Sequence, residues 1–513
     1  MCASKGLQEP LFHGSDWNFD ILRRIYDAVE EVAYKDLHLD TYTNQLEIIS
    51  AEQMMDAYSS IGMPLMYRHW SFGKRYLRDE QLYRKGHMGL AYEMVINSDP
   101  CICYLMEGNT AALQTLVIAH AAFGHNHFFK NNQLFRQWTD AGAILTYLDF
   151  AKNFVRQCEE LHGIAAVESI LDAAHALMEQ GVFRYRRPGR LSAEQGKARE
   201  RERIAHAERT FSDLWRTLPS SSFKSYAGEA GAASQSSQEE NILYFIEKNS
   251  PILKPWQREI VRIVRFIAQY FYPQRQTKMM NEGCATFVHY TIVNLLFERG
   301  LIEDGHMLEI MHNHTDVVFQ PGFNDLRYGG LNPYTLGFEM MRDIQRVCTK
   351  PTPEDRDWFP DIAGKGAWLD VLLDAWVSHR DESFIRQYLS PSLIRKMRLF
   401  AVTDYASKSY VEVTAIHDER GYESVRSTLA DSYDVSSRQP DIQVIGADLA
   451  GDRCLRLQHN IRDGVGLQEE SRDATLRHLA TLWGYEVRLT GIDEQSGQTV
   501  YQQSMRATPE KVS

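Results

Sequence analysis

The sequence predicts a mainly α-helical protein with a small α+β domain at its C-terminus. Helical periodicity runs through most of the chain, and short β-like runs replace it after about Leu399. The length of 513 residues also exceeds what one hydrophobic core usually serves, so we expect roughly two to four domains. We place a large helical domain at residues 1–395 and the α+β domain at residues 396–513.

Apolar residues recur at intervals of three and four along the helical part. Phe19, Leu22 and Ile25 would share one helix face, after a capping residue at Ser15 or Asp16. The same pattern predicts further helices at residues 81–96, 111–129, 134–161, 164–178, 257–271 and 282–298.

The apolar pattern stops between Arg187 and Glu240, where a charge-dense run is followed by a stretch rich in Ser, Gly and Ala. Such a segment has too few large apolar residues to pack, so we predict a mobile insertion at 187–240. Beyond Leu399, the runs LFAVTDY, YVEVTAIHD, DIQVIGADL and CLRLQHN predict strands. A helix from Ser471 to Trp483 and a last strand, YEVRLTGID, complete the predicted α+β domain.

The composition excludes several classes of protein. A net charge of -12 argues against a nucleic-acid partner, because phosphate binding needs clustered Lys and Arg. No stretch approaches the roughly 18 uninterrupted apolar residues of a membrane span, and the N-terminus lacks the apolar region of a signal peptide. The seven cysteines are scattered, which is typical of reduced thiols. We therefore expect a cytoplasmic protein without a membrane span.

Three imidazoles, those of His120, His125 and His127, lie within eight residues after an apolar run. In a regular helix His125 would point about 140° away from His120, at 100° per residue. Binding of one metal ion by both side chains therefore requires a break or a π-bulge, for which Gly124 is the easiest place. We predict that His120 and His125 are metal ligands.

A second polar group contains Glu282 and His289, which are seven residues apart on a predicted helix. Their Cα atoms would be about 10.5 Å apart, so either Glu282 binds a metal with His289 behind it, or the two serve different ions. Glu168, Asp172 and His175 form a third group, an acidic stripe that could equally be a solvated helix face.

Two further acids, Glu93 and Glu107, lie in apolar surroundings, where desolvation raises the pKa of a carboxyl group toward general acid/base use. Isolated histidines are more often packing residues than ligands. We interpret the following histidines in that way: His162, His306, His312, His314 and His459.

Four separated motifs together resemble the SpoVR family, the stage V sporulation protein R family. They are YRHWSFGK at 67–74, GLAYEMVIN at 89–97, the segment 120–132 and QTKMMNEG at 276–283. The resemblance runs from about Phe12 to the C-terminus and implies a role in spore cortex formation. In non-sporulating relatives the gene accompanies a PrkA-type serine kinase and a von Willebrand A-like domain protein. These would be candidate partners in a stress or stationary-phase pathway.

The segment that begins at Glu282, EGCATF, is similar to the Glu-Gly-Trp-Ala segment that supplies a zinc-binding Glu in some helical carboxypeptidase-like proteins. The segment from His120 to His125 is similar to their first helix. An H-E-x-x-H helix, however, spaces its ligands by four and places the general base beside the first, whereas here the spacing is five and the neighbour is Ala121. The resemblance thus implies metallopeptidase-like helices whose base comes from elsewhere, and we predict Glu168 or Glu107.

These observations favour a zinc-type metallohydrolase that acts on a peptide-like or cell-wall-precursor substrate. His120, His125 and Glu282 would bind a divalent metal, with zinc the preferred ion, and His289 would support the site.

Two alternatives stay open. The first is a non-catalytic regulatory protein that binds the PrkA-type kinase. The second is a di-metal carboxylate oxidoreductase that uses Glu168, His175, Glu282 and His289.

We predict that limited proteolysis of the full chain cuts first between Arg187 and Glu240, because an exposed polar stretch has few buried contacts that resist local unfolding. Mass spectrometry of the earliest fragments locates the cut. A first cut within one of the predicted helices would contradict this prediction.

Overall fold

The computed structural model of this chain describes residues 9–60, 66–84, 93–183, 240–322, 325, 327–403, 412–415, 418–462 and 464–506. The predicted insertion at 187–240 lies outside these residues, except for Glu240. Within the described residues helices predominate and a mixed sheet lies near the C-terminus, which confirms the predicted fold class.

The helices of the described residues include one π-helix, at Ala119–His125. None of these helices is long and apolar enough to cross a membrane. The α-helices are α1 Phe19–Lys35, α2 Ala51–Ser59, α3 Trp70–Arg84, α4 Ala111–Ile118, α5 Asn126–Asn131, α6 Gln133–Trp138, α7 Ile144–His162, α8 Ile164–Ala176, α9 Ile242–Asn249, α10 Pro255–Gln276, α11 Lys278–Glu298, α12 Asp304–Val317, α13 Pro333–Thr349, α14 Pro353–Trp358, α15 Trp368–Ser378, α16 Asp381–Tyr388, α17 Pro391–Lys396, α18 Glu419–Tyr433, α19 Val435–Arg438 and α20 Glu469–Trp483.

The strands form three sheets with the orders β1-β3-β2, β4-β5 and β6-β7-β8-β9. In the first sheet β3 pairs in parallel with β1 and antiparallel with β2. In the third, only the central pair β7 and β8 is parallel. The strands are β1 Asn44–Ile49, β2 Glu93–Ile96, β3 Cys101–Met106, β4 Ala401–Thr403, β5 Glu412–Ala415, β6 Asp441–Ala447, β7 Leu455–Ile461, β8 Val487–Asp493 and β9 Thr499–Met505.

The chain divides into two compact units. The first consists of Met1–Glu179 and Leu253–Pro440, and it contains the first two sheets and most of the helices. The second consists of Gln180–Ile252 and Asp441–Ser513 and contains the four-stranded sheet with α9 and α20. The histidine-rich segments of the sequence all lie in the first unit.

The predicted helix at residues 81–96 is wrong at its C-terminal end. Residues 81–84 belong to helix α3, residues 85–92 lie outside the described residues, and Glu93–Ile96 forms the strand β2, in which Glu93 pairs with Leu105. Pairing with a strand distant in sequence outweighed the local helical pattern, as often happens for short apolar runs. This correction matters because it moves the carboxylate of Glu93 from a helix to the edge of a sheet.

Helix α11 is the centre of the first unit and is buried on nearly all sides, which is typical of a helix that is apolar all round. Its first turn is capped by Asp381, whose carboxylate accepts hydrogen bonds from the backbone N–H groups of Met279 and Met280 at 2.9 and 2.8 Å. On one side α13 approaches closely. A Cβ atom on Gly283 would lie 2.6 Å from the backbone of Gly337, so glycine is required at this crossing.

We predict that Gly283→Ala lowers the free energy of unfolding by about 1–3 kcal/mol, because the new methyl group forces two backbones apart. Alanine is the better helix former, so helix propensity alone would predict the opposite sign. Urea denaturation measures the change. Gly305→Ala in α12 is the matched control, because nothing lies within 4 Å of its added Cβ. Equal stabilities of the two variants would contradict the packing argument.

Candidate metal centre

The π-helix at Ala119–His125 brings His120 and His125 together. Its hydrogen bonds run from residue i to i+5, so side chains five residues apart lie on one face. The two rings are perpendicular, with centroids 4.6 Å apart. The structure therefore contains the distortion that the five-residue spacing requires. Gly124 allows it to pack against α11, because a Cβ there would lie 2.5 Å from the Cα of Ala285.

Two carboxylates face this pair of imidazoles. Oε1 of Glu93, from β2, lies 3.4 Å from Nε2 of His120. Oε2 of Glu282, from α11, lies 3.5 Å from Nε2 of His125 and 4.0 Å from Nε2 of His120. One ligand atom from each of Glu93, His120 and His125 lies within 4.8 Å of the others, a spacing that one metal ion could bridge with small side-chain movements.

The two carboxylates are mostly buried, with 19% and 16% of the side chains of Glu93 and Glu282 exposed, and no cation compensates them among the described residues. Among the described residues no Lys or Arg pairs with Glu93 or Glu282, and Oε2 of Glu282 is a buried acceptor without a hydrogen-bond partner. Burial, with a smaller contribution from the charge of Glu282, raises the pKa of Glu93 to about 8. Burial, and next the negative charges of Glu282 and Glu93, raise the pKa of the Tyr334 phenol above the usual range. The arrangement would be stabilised by a bound cation.

Each imidazole has a second polar partner on the side away from the carboxylates. Nδ1 of His125 lies 3.0 Å from Oδ1 of Asn281, to which it can only donate. Its Nε2 is then an unprotonated acceptor in the neutral ring. Nδ1 of His120 lies 2.9 Å from Nδ1 of His289. Burial, and next the neighbouring His125, hold the pKa of His120 well below its usual range, so the ring is neutral and can bind a metal.

The structure brings together four of the residues that the sequence singled out as metal ligands: His120, His125, Glu282 and His289. His289 is fully buried and contacts Nδ1 of His120, on the side of the ring away from the carboxylates. Glu93 joins the group as an additional acid, which the sequence identified only as a buried carboxyl group on a helix. An acidic residue in an otherwise apolar strand is the sequence feature that could have identified Glu93 as part of the site.

The two residues predicted as the general base lie elsewhere. Glu107 is exposed in the turn after β3, and Glu168 lies on α8, where it is close to Glu159. In the part of the chain that the structure describes, neither side chain has a hydrogen bond or ion pair with the cluster. His175 of the same acidic stripe contacts the hydroxyl of Tyr67 at 2.6 Å instead.

Comparisons with known proteins agree with the resemblance seen in the motifs. A family model described as SpoVR like protein matches residues 16–438, and one described as SpoVR-like C-terminal domain matches residues 440–494. "Uncharacterized protein YcgB" of Escherichia coli (strain K12) is 50% identical over 479 residues, which cover 93% of this chain and 93% of that protein. No solved structure matches this chain.

The raised pKa of Glu93 predicts a pH dependence of stability in the metal-free protein. In the folded chain this pKa is about 8, against 4.5 for an ordinary Glu. As pH rises, Glu93 therefore loses its proton at a lower pH in the unfolded chain than in the folded chain. The stability that the protonated carboxyl group of Glu93 contributes is lost between about pH 4.5 and about pH 8. Glu93→Gln cannot ionise and should be a few kcal/mol more stable than the wild type at the upper end of this range.

Urea denaturation of chelator-treated protein between pH 5 and pH 8 measures the effect. Glu107→Gln, which changes an exposed acid, is the control and should follow the wild-type curve. Parallel pH profiles for the wild type and Glu93→Gln would show that Glu93 ionises normally.

Proposed function

This chain belongs to the SpoVR family, and we propose that it is a metal-dependent hydrolase of the zinc type. The observation that carries the proposal is the convergence of Glu93, His120 and His125 on one point in the interior of the first unit. Two imidazoles and one carboxylate form the ligand set of several catalytic zinc sites, in which a fourth position stays open for water or substrate.

The residues present fit such an ion. Imidazole nitrogens favour zinc and its transition-metal neighbours over magnesium or calcium, which prefer oxygen ligands alone. The rings of His120 and His125 turn their Nε2 atoms toward the carboxylates, and the unpartnered oxygen of Glu282 faces the same space. A cation there would compensate the buried negative charge of both acids.

We assign Glu93, His120 and His125 to the metal and Glu282 to proton transfer, which differs from the sequence prediction that Glu282 is a ligand. A zinc ion held by Glu93, His120 and His125 would supply a water of lowered pKa and would polarise a substrate carbonyl. The role of Glu282 would be to accept a proton from water and to return it to the leaving nitrogen. The phenol of Tyr334 lies near Glu282 and stays protonated, so it would donate a hydrogen bond to this carboxylate and orient it.

The substrate class rests on resemblance. Two resemblances imply a peptide-like or cell-wall-precursor substrate. One is the similarity of the segment at Glu282 to helical carboxypeptidase-like proteins, and the other is the association of the family with the spore cortex. The PrkA-type kinase and the von Willebrand A-like protein likewise stay predictions.

Metal content tests the proposal most simply. The wild type, purified without chelator and dialysed, should carry about one zinc or similar ion per chain by mass spectrometry. His125→Ala should lose both the metal and the thermal stability that the metal confers, because an ion bound only by the folded state stabilises it. His162→Ala is the control, since His162 is exposed and stacks on Trp256, and should keep its metal.

A His125→Ala variant with its full metal complement would remove this residue from the site. Metal far below one equivalent in the wild type would contradict the hydrolase and favour the regulatory alternative. Two irons per chain would favour the di-metal oxidoreductase.

The assignment of the two acids is tested by a pair of isosteric variants. Glu93→Gln should weaken metal binding, whereas Glu282→Gln should keep the metal and lower the rate of hydrolysis by roughly 10²–10⁴-fold, as expected for loss of a general base. Release of new amino groups from peptidoglycan-derived peptides measures the rate. Metal loss in Glu282→Gln would restore Glu282 as a ligand.

A further inference from the structure

Three buried imidazoles from three different helical segments are hydrogen-bonded in series. Nδ1 of His120, in the π-helix, lies 2.9 Å from Nδ1 of His289, in α11. Nε2 of His289 lies 2.9 Å from Nδ1 of His314, in α12. The three residues are 4%, 0% and 6% exposed. The sequence pattern did not connect His314 with the other two, because we interpreted it as an isolated packing residue.

The contacts allow two arrangements of the protons. Each nitrogen pair shares one hydrogen, so one partner donates and the other accepts. If Nε2 of a neutral His120 presents its lone pair to a metal, the proton of this ring is on Nδ1 and is donated to His289. His289 then carries its own proton on Nε2 and donates it to Nδ1 of His314. The reverse direction would place a proton on Nε2 of His120, and this nitrogen could then not bind a metal.

We infer that His314, acting through His289, is a positioning residue that holds His120 in the tautomer able to bind the metal. The inference rests on the proposed function and extends it to a residue that makes no contact with the ligand set. An outer partner of this kind fixes the orientation of the ligand ring and the location of its proton, and its loss typically weakens metal binding.

The ring of His314 is itself held in place. It packs against Tyr290 and Phe338, with centroid distances of 5.0 and 4.9 Å. The guanidinium of Arg342 lies over the same two aromatic rings, at 5.3 and 5.8 Å. His312, two residues earlier on α12, is exposed and pairs with Asp316 at 3.6 Å, which makes it an ordinary surface residue.

The test compares the affinity of the full-length protein for zinc in His314→Phe, His314→Asn and the control His312→Phe. His314→Phe keeps a ring but has no acceptor, and should weaken zinc binding by roughly 10–100-fold. His314→Asn offers an amide oxygen near the position of Nδ1 and should restore most of the affinity. His312→Phe should bind zinc like the wild type. A cooperative unfolding transition of each metal-free variant shows that it is folded. If His314→Phe does not fold, His314→Ala replaces it, with the same expected loss of zinc affinity.

A spectroscopic measurement separates positioning from general loss of stability. The visible absorption of the Co²⁺-substituted protein reports ligand geometry, and it should change in His314→Phe and return in His314→Asn. Unchanged zinc affinity and Co²⁺ spectrum in folded His314→Phe and His314→Ala would overturn the inference while leaving the proposed function intact. A wild type that binds neither ion would overturn both, because there would be no site to position.

Discussion

The close approach of the π-helix to α11 is the constraint on which the candidate site depends. Gly124 lets the backbone of the π-helix lie against Ala285, and no residue with a Cβ fits this contact. The π-helical hydrogen bonds then put His120 and His125 on the same face, where α11 presents Glu282 and His289. A regular helix through the same residues would separate the two imidazoles and leave one of them pointing away from the acids.

Burial of so many ionisable groups around the start of α11 needs compensation. Asp381 accepts two backbone hydrogen bonds, yet burial still raises its pKa to about 7, and burial raises that of Glu93 to about 8. Each buried carboxylate is costly when ionised and unpaired. The acids and imidazoles would therefore gain most from a cation. This requirement is shared by the proposed metal ligands, the proposed proton acceptor Glu282 and the imidazole series.

Part of this could be predicted from the sequence. The helical periodicity identified the segments that became α1, α10 and α11, and the five-residue spacing of His120 and His125 required a π-helical distortion near Gly124. These features depend on residues close together in the chain. The stretch 134–161 was predicted as one helix but is divided into α6 and α7, because short local interruptions are hard to see in a periodic pattern.

The remaining features depend on contacts between distant segments. Glu93 was assigned to a helix because its pairing with Leu105 cannot be seen locally, and β1, β3 and β9 were missed for the same reason. His314 looked isolated because its partner His289 is 25 residues away. The bases predicted at Glu107 and Glu168 were chosen by composition, which cannot show that Glu282 has a free oxygen inside the cluster.

The most direct measurement is anomalous X-ray diffraction, at the zinc absorption edge, from crystals of the wild-type protein grown with zinc. The account predicts one strong peak about 2.0–2.2 Å from Nε2 of His120, Nε2 of His125 and a carboxylate oxygen of Glu93, the distances that zinc sites require. A peak bound by other side chains, or no peak between these three residues, would contradict it.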